Sequence, residues 1–502
     1  MLQKSKKFFL WTGGAFAALY LAWNGQFYST TFPVTIVHTN DLHGNILPFR
    51  GKGGAATIAA FLKKQKKVDL LLDAGDFFQG TPESDLSGGK NTVIVMNELK
   101  YDAATIGNHE FDFGLAALEK LSGIATFPFL SANVNYNKKP LVFAKPYIIR
   151  EVRQANIGIL GLTTELTPRT SVPENMKGLE FLSSVETARN IIPEMKNLGA
   201  DVIIALTHLG FEESTETWPG DRLLAQSVEG IDIIIGGHSH RRVEGFRSGK
   251  TLIVQTSGRG SSVGKMTVYL DRKTKKIRRI KNKIVEMDVK KIGEDDGIKK
   301  IVSEISEEIS KSLSEVIAVS EVDLNRRRGG DSNLGNFLAD IMRQYSKTDA
   351  AFHNAGGIRT DLKKGDISLR DIYTLNPFDN TIVTMKLTGE QVHKLIELSI
   401  NNEYGLLQVS GMRITYDKGA NILEITINEK PLNEKKLYSV ATNSFLASGG
   451  DNFGIFKEGK NVTDTGKLFR DVIIEHLKKT KTITKQSARV DGRILIESRI
   501  KD

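Results

Sequence analysis

The sequence predicts an α/β domain, then a connecting helix, then a smaller α+β domain. Over residues 34–288, short apolar runs alternate with stretches of helical periodicity, and this alternation is typical of βαβ units. A second observation is the amphipathic stretch at 295–316, and a third is the different pattern of helices and strands over 317–495. With 502 residues, the chain is also too long for one ordinary hydrophobic core.

Six short apolar runs are the predicted strands of the first domain. Stretches with helical spacing of apolar residues lie between them. This order predicts layers of sheet and helix that share one core. The runs are residues 34–37, 68–72, 103–106, 157–160, 202–206 and 231–235.

One long amphipathic helix is predicted between the two domains. From Ile298 to Leu313, aliphatic residues recur at helical spacing behind an Asp cap, while Ser and charged residues occupy the other face. A helix of about twenty residues is roughly 30 Å long, which is enough to connect two domains. In the second domain, the pattern predicts helices around 333–347 and 388–401 and strands around 411–428 and 437–442.

Residues 1–30 are predicted to be an export signal or an N-terminal anchor. Three lysines among the first seven residues precede an apolar run over 8–23, but no clean small-residue cleavage site follows, so cleavage and retention both stay open. Gly13 and Gly14 disfavour the alternative of a buried N-terminal helix. Both forms predict a protein of the periplasm or the cell surface. The absence of Cys excludes disulfides and a lipid-modified Cys.

The chain carries a formal net charge of +10, and part of the excess lies in the basic run 272–283. The basic residues there alternate with Ile277 and Ile280, as on the solvent face of an amphipathic strand, and few aromatic residues are available for base stacking. The run therefore favours a solvated surface over a site for a nucleic-acid polymer. The sequence indicates no protein partner.

Metal-ligating residue types follow five of the six predicted strands. In an open α/β sheet, ligands gather outside the carboxyl ends of the strands, so these side chains should converge. Carboxylates, imidazoles and one carboxamide, without a thiolate, suit divalent Zn, Mn, Co, Fe or Mg, and two ions with a shared carboxylate require about this many ligands. A single such motif usually has only a structural role. Five of them at strand ends argue against the alternative that these polar groups are hydrogen-bonded in place and bind no metal. The residues are Asp41, His43, Asp76, Asn108, His208, His238 and His240.

The motifs themselves carry a resemblance. The series D-x-H-G, G-D, G-N-H-E, H and G-H-x-H resembles the calcineurin-like metallophosphoesterases. Further segments resemble, more narrowly, the 5′-nucleotidase family, which includes bacterial periplasmic UDP-sugar hydrolases and vertebrate ecto-5′-nucleotidase. The resemblance covers both domains. These segments are NHEFD at 108–112, GGHSH at 236–240, NAGGIR at 354–359, NPF at 376–378 and SFLASGGD at 444–451.

The resemblance implies a fold and two metal ions. The implied fold is a four-layer α/β/β/α metallophosphoesterase domain at 34–288, a linker helix at 289–316 and a 5′-nucleotidase C-terminal substrate-binding domain at 317–502. Asp76 would bridge the two divalent ions. The first ion would be held by Asp41, His43, Asp76 and His240, and the second by Asp76, Asn108, His208 and His238.

The resemblance also implies how the reaction proceeds. A metal-bound hydroxide would attack phosphorus in line, and His109 would point at the leaving oxygen. Asp112 can accept from the other ring nitrogen of His109 and fix its tautomer. Glu110 is expected to face outward or to cap the following helix.

The implied nucleoside site lies in the second domain. Phe378 and Phe445 would hold a base between them, because every base has a π-face; core packing is the alternative for a lone loop Phe. Asp451 suits a ribose hydroxyl. The residues expected at the phosphate oxygens are Arg328, Asn354 and Arg359.

The expected function is therefore release of phosphate from nucleoside 5′-phosphates by a two-metal phosphohydrolase, with nucleotides as small-molecule substrates. Two alternatives on the same centre are hydrolysis of 2′,3′-cyclic nucleotides and of the pyrophosphate in UDP-sugars. A different class of alternative is a surface binding protein without turnover. His109 and every implied ligand are present, which disfavours that alternative.

Overall fold

The computed structural model describes residues 30–171, 173–211, 219–378, 380–402 and 405–497. The predicted export signal or anchor therefore lies outside the described residues, apart from Thr30. Within the described part, none of the helices combines the length and the apolar character that a membrane-crossing helix needs.

Two six-stranded sheets pack face to face in the N-terminal domain. Aliphatic side chains of both sheets fill the space between them, among them Ile36 and Leu72 of the first sheet and Ile204 of the second. In spatial order, the first sheet contains Ile277–Glu286, Ser262–Asp271, Thr31–Thr39, Leu70–Asp73, Ala103–Thr105 and Phe129–Leu130. The second contains Val243–Ser248, Thr251–Gln255, Ile233–Gly236, Val202–His208, Ala155–Thr163 and Tyr147–Val152.

Each sheet has a run of parallel strands, with antiparallel strands at one edge of the first sheet and at both edges of the second. Both faces of the parallel strands are buried, which explains why their sequences are nearly continuous runs of Val, Ile and Leu. All six predicted strands are confirmed, although the exact boundaries differ. Because the central strands are parallel, their carboxyl ends lie at one edge of each sheet.

Helices cover the outer face of each sheet, and this gives the four α/β/β/α layers that the resemblance implies. The first sheet is covered by Ala55–Lys63, Lys90–Leu99 and Leu115–Ile124, and the second by Ser184–Asn197 and Asp221–Ser227; the short helix Pro82–Asp85 lies against Lys90–Leu99. Smaller elements are the helices Thr167–Thr170 and Val289–Ile292 and the strands Val134–Tyr136, Lys139–Pro140 and Leu179–Phe181.

The predicted amphipathic helix is confirmed as Asp296–Leu313. Its N-cap is Asp295, whose Oδ1 accepts the backbone N–H of Ile298 at 3.1 Å, as the sequence indicates. Ile298 and Val302 pack onto the helical layer of the N-terminal domain. Near its other end, Oγ of Ser310 accepts from Arg370 of the C-terminal domain at 2.9 Å. The helix thus contacts both domains.

The C-terminal domain is α+β, as predicted. Its helices include Asn333–Ser346, Leu369–Leu375, Gly389–Ile400, Ser444–Ala447 and Phe469–Thr480. Its main sheet contains Gln408–Ser410, Ala350–His353, Leu437–Asn443, Thr381–Thr388 and Lys460–Leu468. Two smaller sheets contain Lys430–Pro431, Ile422–Ile427, Met412–Asp417 and Ile494–Glu497, and Gly365–Ser368, Val316–Ser320 and Thr482–Ile483. The helices expected around 333–347 and 388–401 and the strands expected in 411–428 and at 437–442 are all confirmed.

Candidate active site

Loops at the carboxyl ends of five strands bring the implied metal ligands together. Most of these side chains are fully buried, with His43, His238 and His240 at the edge of the cluster. Buried carboxylates and imidazoles are costly unless they are paired or bind a metal. Five of the seven have a positive φ, between 47° and 77°, and such backbone strain in residues other than Gly is concentrated at functional sites. These five are Asp41, His43, Asp76, His238 and His240.

The side chains form two groups that could each hold a metal ion, and within each group the ligand atoms lie within 4.8 Å of one another. Oδ2 of Asp76 lies between the groups, 2.9 Å from Nε2 of His208 and 3.9 Å from Nε2 of His43. Oδ1 of Asn108 lies 2.9 Å from Nδ1 of His238. The first group is Asp41, His43 and His240, and the second is Asp76, His208 and His238.

The contacts and the pKa of the His208 ring show whether these residues fit a cation. Its Nδ1 donates to the carbonyl oxygen of Ala74 at 2.7 Å, so a neutral ring carries its lone pair on Nε2. That nitrogen faces Oδ2 of Asp76 at 2.9 Å without the geometry of a hydrogen bond. Burial lowers the pKa of His208, but the Asp76 carboxylate raises it to about 10. The site therefore favours positive charge between the two side chains, and a divalent ion fits this requirement.

In the first group, His43 and His240 also place ring nitrogens where a cation could bind. Nδ1 of His43 donates to the carbonyl oxygen of Gln79 at 2.8 Å, and its Nε2 lies 3.1 Å from Nε2 of His240. Burial lowers the pKa of both rings, and the neighbouring His240 lowers the pKa of His43 further. Because Nδ1 of His43 donates, Nε2 of a neutral His43 carries a lone pair, which can accept from His240 or bind a cation. The residues present fit hard or borderline divalent ions.

His109 lies beside this centre in the short helix His109–Phe111. Its Nδ1 donates to Oδ2 of Asp112 at 2.5 Å, and its backbone N–H donates to Oδ1 of Asp76 at 2.9 Å. Burial lowers the pKa of His109, but the Asp112 and Asp76 carboxylates raise it to about 10. The hydrogen bond from Nδ1–H to Asp112 therefore holds the ring in one orientation beside the cavity.

The expectation that Glu110 faces outward or caps the following helix is wrong. Its side chain is fully buried, and the next helix has Gly114 as its N-cap. Oε2 of Glu110 accepts the backbone N–H groups of Asp76 at 2.8 Å and Gly107 at 2.6 Å, and Oε1 accepts that of Phe77 at 2.9 Å. Glu110 therefore holds the backbone of the Asp76 loop in place.

One cavity of about 340 Å³ lies between the C-terminal domain and the two groups that could each hold a metal ion, which we call the metal-type groups. Its N-terminal wall includes His109, Asp112 and members of both groups. All six residues expected to bind substrate lie on its C-terminal wall. They are Arg328, Asn354, Arg359, Phe378, Phe445 and Asp451.

A hydrogen-bonded pair fixes the polar floor of the C-terminal wall. Nδ2 of Asn354 donates to Oδ2 of Asp451 at 2.8 Å, while its Oδ1 accepts from Nδ2 of Asn443 at 2.9 Å. Burial raises the pKa of Asp451, and the hydrogen bond from Asn354 acts in the opposite direction. The orientations of the carboxylate and of the amide are thus set before any substrate binds.

The aromatic and basic side chains of this wall lie next to each other. The Arg359 guanidinium lies over the Phe378 ring, 5.6 Å from its centroid. Burial and the nearby Arg259 lower the pKa of Arg359 to about 10. Phe378 and Phe445 are half-buried, so each keeps part of its ring accessible in the cavity. Phe445 also packs partly against a core cluster, so its setting is not purely that of an exposed loop.

Two residues of this region are not among the site residues predicted from the sequence. Gln79 lines the cavity, and its Nε2 donates across the domain boundary to the carbonyl oxygen of Pro377 at 3.3 Å. Arg259 lies on a metal-site loop, where its backbone N–H donates to the carbonyl oxygen of Asp41 at 2.6 Å. Gln79 follows the second predicted strand. Its position just after a strand end is the same feature that identified the implied metal ligands, so this feature could also have identified Gln79. Arg259 follows Thr251–Gln255, which is not among the predicted strands.

Comparisons with known proteins agree with this geometry. Residues 34–242 match the family model of the calcineurin-like phosphoesterases, and residues 313–458 match that of the 5′-nucleotidase C-terminal domain. The chain is 32% identical to the trifunctional nucleotide phosphoesterase protein YfkN of Bacillus subtilis over 92% of its own length, but it covers only 35% of that protein. It is 27% identical to protein UshA of Yersinia enterocolitica, with 93% of this chain and 94% of UshA covered.

A solved structure extends the likeness over the whole fold. The 5′-nucleotidase precursor from Thermus thermophilus is 31% identical, with a TM-score of 0.73, and the match covers 93% of this chain and 100% of that one. The two family models lie on the two domains whose walls form the cavity. The chain therefore belongs to the 5′-nucleotidase family of metallophosphoesterases.

Proposed function

We propose that this protein is a two-metal phosphohydrolase that releases phosphate from nucleoside 5′-phosphates. The observation that carries the proposal is the cavity of about 340 Å³ whose two walls come from different domains. One wall bears the metal-type groups and His109, and the other bears two half-buried phenylalanines among polar side chains. A substrate with a phosphate at one end and a flat aromatic base at the other matches both walls.

Two divalent ions are proposed at the two groups, and Zn, Mn, Co, Fe and Mg all fit the donor types. When bound, the ions would supply an activated water and neutralise charge on the phosphate. Asp76 is proposed to bridge them, because its Oδ2 approaches histidines of both groups. The proposed ligands are Asp41, His43, Asp76 and His240 for the first ion, and Asp76, Asn108, His208 and His238 for the second.

His109 is the proposed acid for the leaving group. Asp112 holds Nδ1–H of the ring, so Nε2 is the nitrogen that remains for the substrate. The Asp112 and Asp76 carboxylates raise the pKa of the ring against the effect of burial, and Asp112 is not a proposed metal ligand, so it still favours the protonated ring when Asp76 binds the ions. A proton on Nε2 can then move to the leaving nucleoside oxygen as its bond to phosphorus breaks.

The C-terminal wall is proposed to select nucleotides. Phe378 and Phe445 would stack on the base, and Asp451 would accept from a ribose hydroxyl. One N–H of Asn354 bonds to Asp451, so its second N–H remains for substrate. The residues proposed at the phosphate oxygens are Arg328, Asn354 and Arg359.

A second candidate is hydrolysis of substrates with more than one phosphate or with a cyclic phosphate. Arg259, Arg326 and Arg328 all lower the pKa of Arg359, so four guanidinium groups gather near the cavity. This is more positive charge than one phosphate monoester requires. The name of YfkN, a trifunctional nucleotide phosphoesterase, also describes more than one activity. A surface binding protein without turnover stays a weaker alternative.

The location and the boundaries of the domains are also proposals. We infer an exported protein of the periplasm or cell surface, with residues 1–30 as a cleaved signal or a retained anchor. The proposed boundaries are 34–288 for the metallophosphoesterase domain, 289–316 for the linker and 317–502 for the substrate-binding domain.

One panel tests the proposed function. Phosphate release would be measured from AMP, UMP, ATP, UDP-glucose, 2′,3′-cyclic AMP and p-nitrophenyl phosphate, before and after chelation and after addition of each metal. We expect AMP or UMP to be the best substrate, with activity lost on chelation and restored by a divalent ion. Turnover of p-nitrophenyl phosphate alone would leave a general phosphatase, and no turnover with any metal would favour the binding protein.

A further inference from the structure

A basic hairpin holds most of the excess positive charge of the chain. The basic hairpin consists of the strands Ser262–Asp271 and Ile277–Glu286 and the turn between them. Residues 272–283 include eight basic residues and no acidic residue, so they account for eight of the ten excess positive charges. The hairpin lies outside the candidate active site, and the proposed reaction does not use it.

The charges of the hairpin are exposed and mostly lack acidic partners. Nη2 of Arg278 donates to Oδ2 of Asp271 at 2.8 Å, but the other seven basic side chains form no ion pair with any residue that the structure describes. All of the eight except Lys275 are exposed, whereas Ile277 and Ile280 pack against the core between the two sheets. A surface with this excess of cations attracts an anionic partner.

The described chain enters the first sheet beside the hairpin turn. Thr31 pairs with Asp271, and the backbone N–H of Arg272 donates to the carbonyl oxygen of Thr30 at 2.9 Å. Only residues 24–30 separate this point from the apolar run 8–23. Seven residues span at most about 25 Å when fully extended. If the apolar run is held in a bilayer, the turn of the hairpin lies within that distance of the lipid surface.

The candidate active site lies at the opposite end of the same strand. Thr31–Thr39 runs from the hairpin turn toward Asp41. At a rise of about 3.3 Å per residue, this strand separates the turn from the metal-type groups by roughly 30 Å. A membrane that contacts the turn of the hairpin is therefore far from the cavity, and the cavity stays accessible from the solution.

We propose that the basic hairpin docks onto an anionic lipid surface and orients the protein with its active site away from the bilayer. The proposal rests on the retained anchor, one of the two forms of residues 1–30 given under the proposed function; without an anchor, the charge of the hairpin alone carries it. Attraction between exposed charges is screened beyond about 8–10 Å, so a short tether to the bilayer is what brings the hairpin into range. Basic residues close to an anionic leaflet then each add to the attraction. The neighbouring apolar run favours lipid over a nucleic-acid polymer.

The test places the full chain on vesicles of phosphatidylcholine with or without phosphatidylglycerol, and measures the acetylation rate of single lysines by mass spectrometry. We expect Lys273 and Lys276 to react about five-fold more slowly on the anionic vesicles, with the protection lost at high salt. Lys430 and Lys435 are exposed in the C-terminal domain and serve as internal controls that react equally on both. Equal rates for Lys273 and Lys276 on the two kinds of vesicle would overturn the proposal.

Two charge-reversal variants sharpen the test. Lys273→Glu with Lys276→Glu should abolish the protection of Lys281 on anionic vesicles, whereas Lys430→Glu with Lys435→Glu should leave it intact. Turnover of p-nitrophenyl phosphate by both variants should equal that of the parent chain, which shows that the fold is preserved. Protection of Lys281 that survives the first pair of substitutions contradicts docking through the hairpin.

Flotation separates docking from anchoring. A chain that does not float with neutral vesicles has no anchor, and docking is then judged by salt-sensitive binding to anionic vesicles alone. Loss of that binding in the Lys273→Glu, Lys276→Glu variant supports docking through the basic hairpin. If the parent chain does not bind anionic vesicles, the docking proposal is wrong. If duplex DNA without vesicles protects Lys273 as strongly as anionic lipid does, the partner is a soluble polyanion and the lipid proposal is wrong.

Discussion

Glu110 accepts the backbone N–H of Asp76 through Oε2 at 2.8 Å, so a buried carboxylate holds the loop that presents the proposed bridging ligand. The same side chain accepts from Phe77 and Gly107. Asp76 has a φ of 55°, a backbone conformation that is costly for a residue other than Gly and persists only when its surroundings enforce it. Glu110 is therefore a positioning residue for the metal centre.

Glu110→Gln should weaken metal binding without unfolding the protein. The amide nitrogen of Gln cannot accept, so at least one of the three backbone N–H groups loses its acceptor and the Asp76 loop is released. We expect metal affinity to fall by about 10- to 100-fold, the usual effect of losing a group that orients a ligand. Metal titration checks this, with Glu119→Gln on an exposed helix face as the matched control. Unchanged affinity would show that the loop does not depend on Glu110.

Asp76→Asn should weaken both ions together. The carboxylate approaches histidines of both groups, whereas every other proposed ligand serves one ion. We expect activity to be lost and the metal content of the purified variant to fall by more than one equivalent. Loss of a single equivalent with substantial turnover retained contradicts the bridging role.

His109→Ala should keep both metals and lower kcat by about 10²- to 10⁴-fold, the range typical of a positioned acid or base. p-Nitrophenyl phosphate has a good leaving group and needs less protonation, so its kcat should fall less than that of AMP. Metal analysis and the two kcat values check this. Lost metal would make His109 a ligand, and equal losses for both substrates would argue against an acid role.

His38→Leu should change how stability depends on pH. Burial lowers the pKa of His38 to about 4, although Asn282 acts in the opposite direction. Between about pH 6.5 and 4 the unfolded chain binds a proton that the folded chain does not, so this group lowers stability as the pH falls, by up to about 1.4 kcal/mol per pH unit. Thermal melts at about pH 7 and 5 should show a smaller loss of Tm in the variant than in the parent chain. Parallel losses would mean that His38 takes up its proton over the same pH range in the folded and the unfolded chain.

The sequence predicts one part of the site well. Each parallel strand is a buried apolar run, so its end is visible in the sequence, and the ligands Asp41, Asp76 and His208 follow such ends. Parallel packing then forces these ends to one edge of the sheet. The long helix is equally visible, because its apolar face and its Asp295 cap are both local features.

The rest depends on contacts that spacing does not reveal. The motif around Glu110 does not show that this side chain folds back onto Asp76 and Phe77, so an outward orientation is the natural expectation from sequence. The approach of Gln79 to Pro377 joins residues almost 300 positions apart, and only the packing of the two domains creates it. The C-terminal motifs are recognisable through the family resemblance alone, since no periodicity links them to the metal site.

The central claim is that Phe378 and Phe445 select nucleotides for a metal centre in the other domain. Truncating either ring to Ala removes stacking worth about 1–3 kcal/mol, which is roughly 5- to 150-fold in kcat/KM for AMP. p-Nitrophenyl phosphate reaches the metal centre without filling the base site, so its kcat/KM should change little. Phe49→Ala, which removes an exposed ring outside the cavity, is the matched control.

The most direct measurement is the ratio of kcat/KM for AMP to that for p-nitrophenyl phosphate in the parent chain, Phe378→Ala, Phe445→Ala and Phe49→Ala, with a thermal melt of each. The account predicts that the ratio falls by about 5- to 150-fold in the two cavity variants alone, with an unchanged Tm for Phe378→Ala and a lower Tm for Phe445→Ala, whose ring also packs against a core cluster. Parallel losses for both substrates in a destabilised protein would contradict it, because the phenylalanines would then be core residues and the chain a phosphoesterase without a base site.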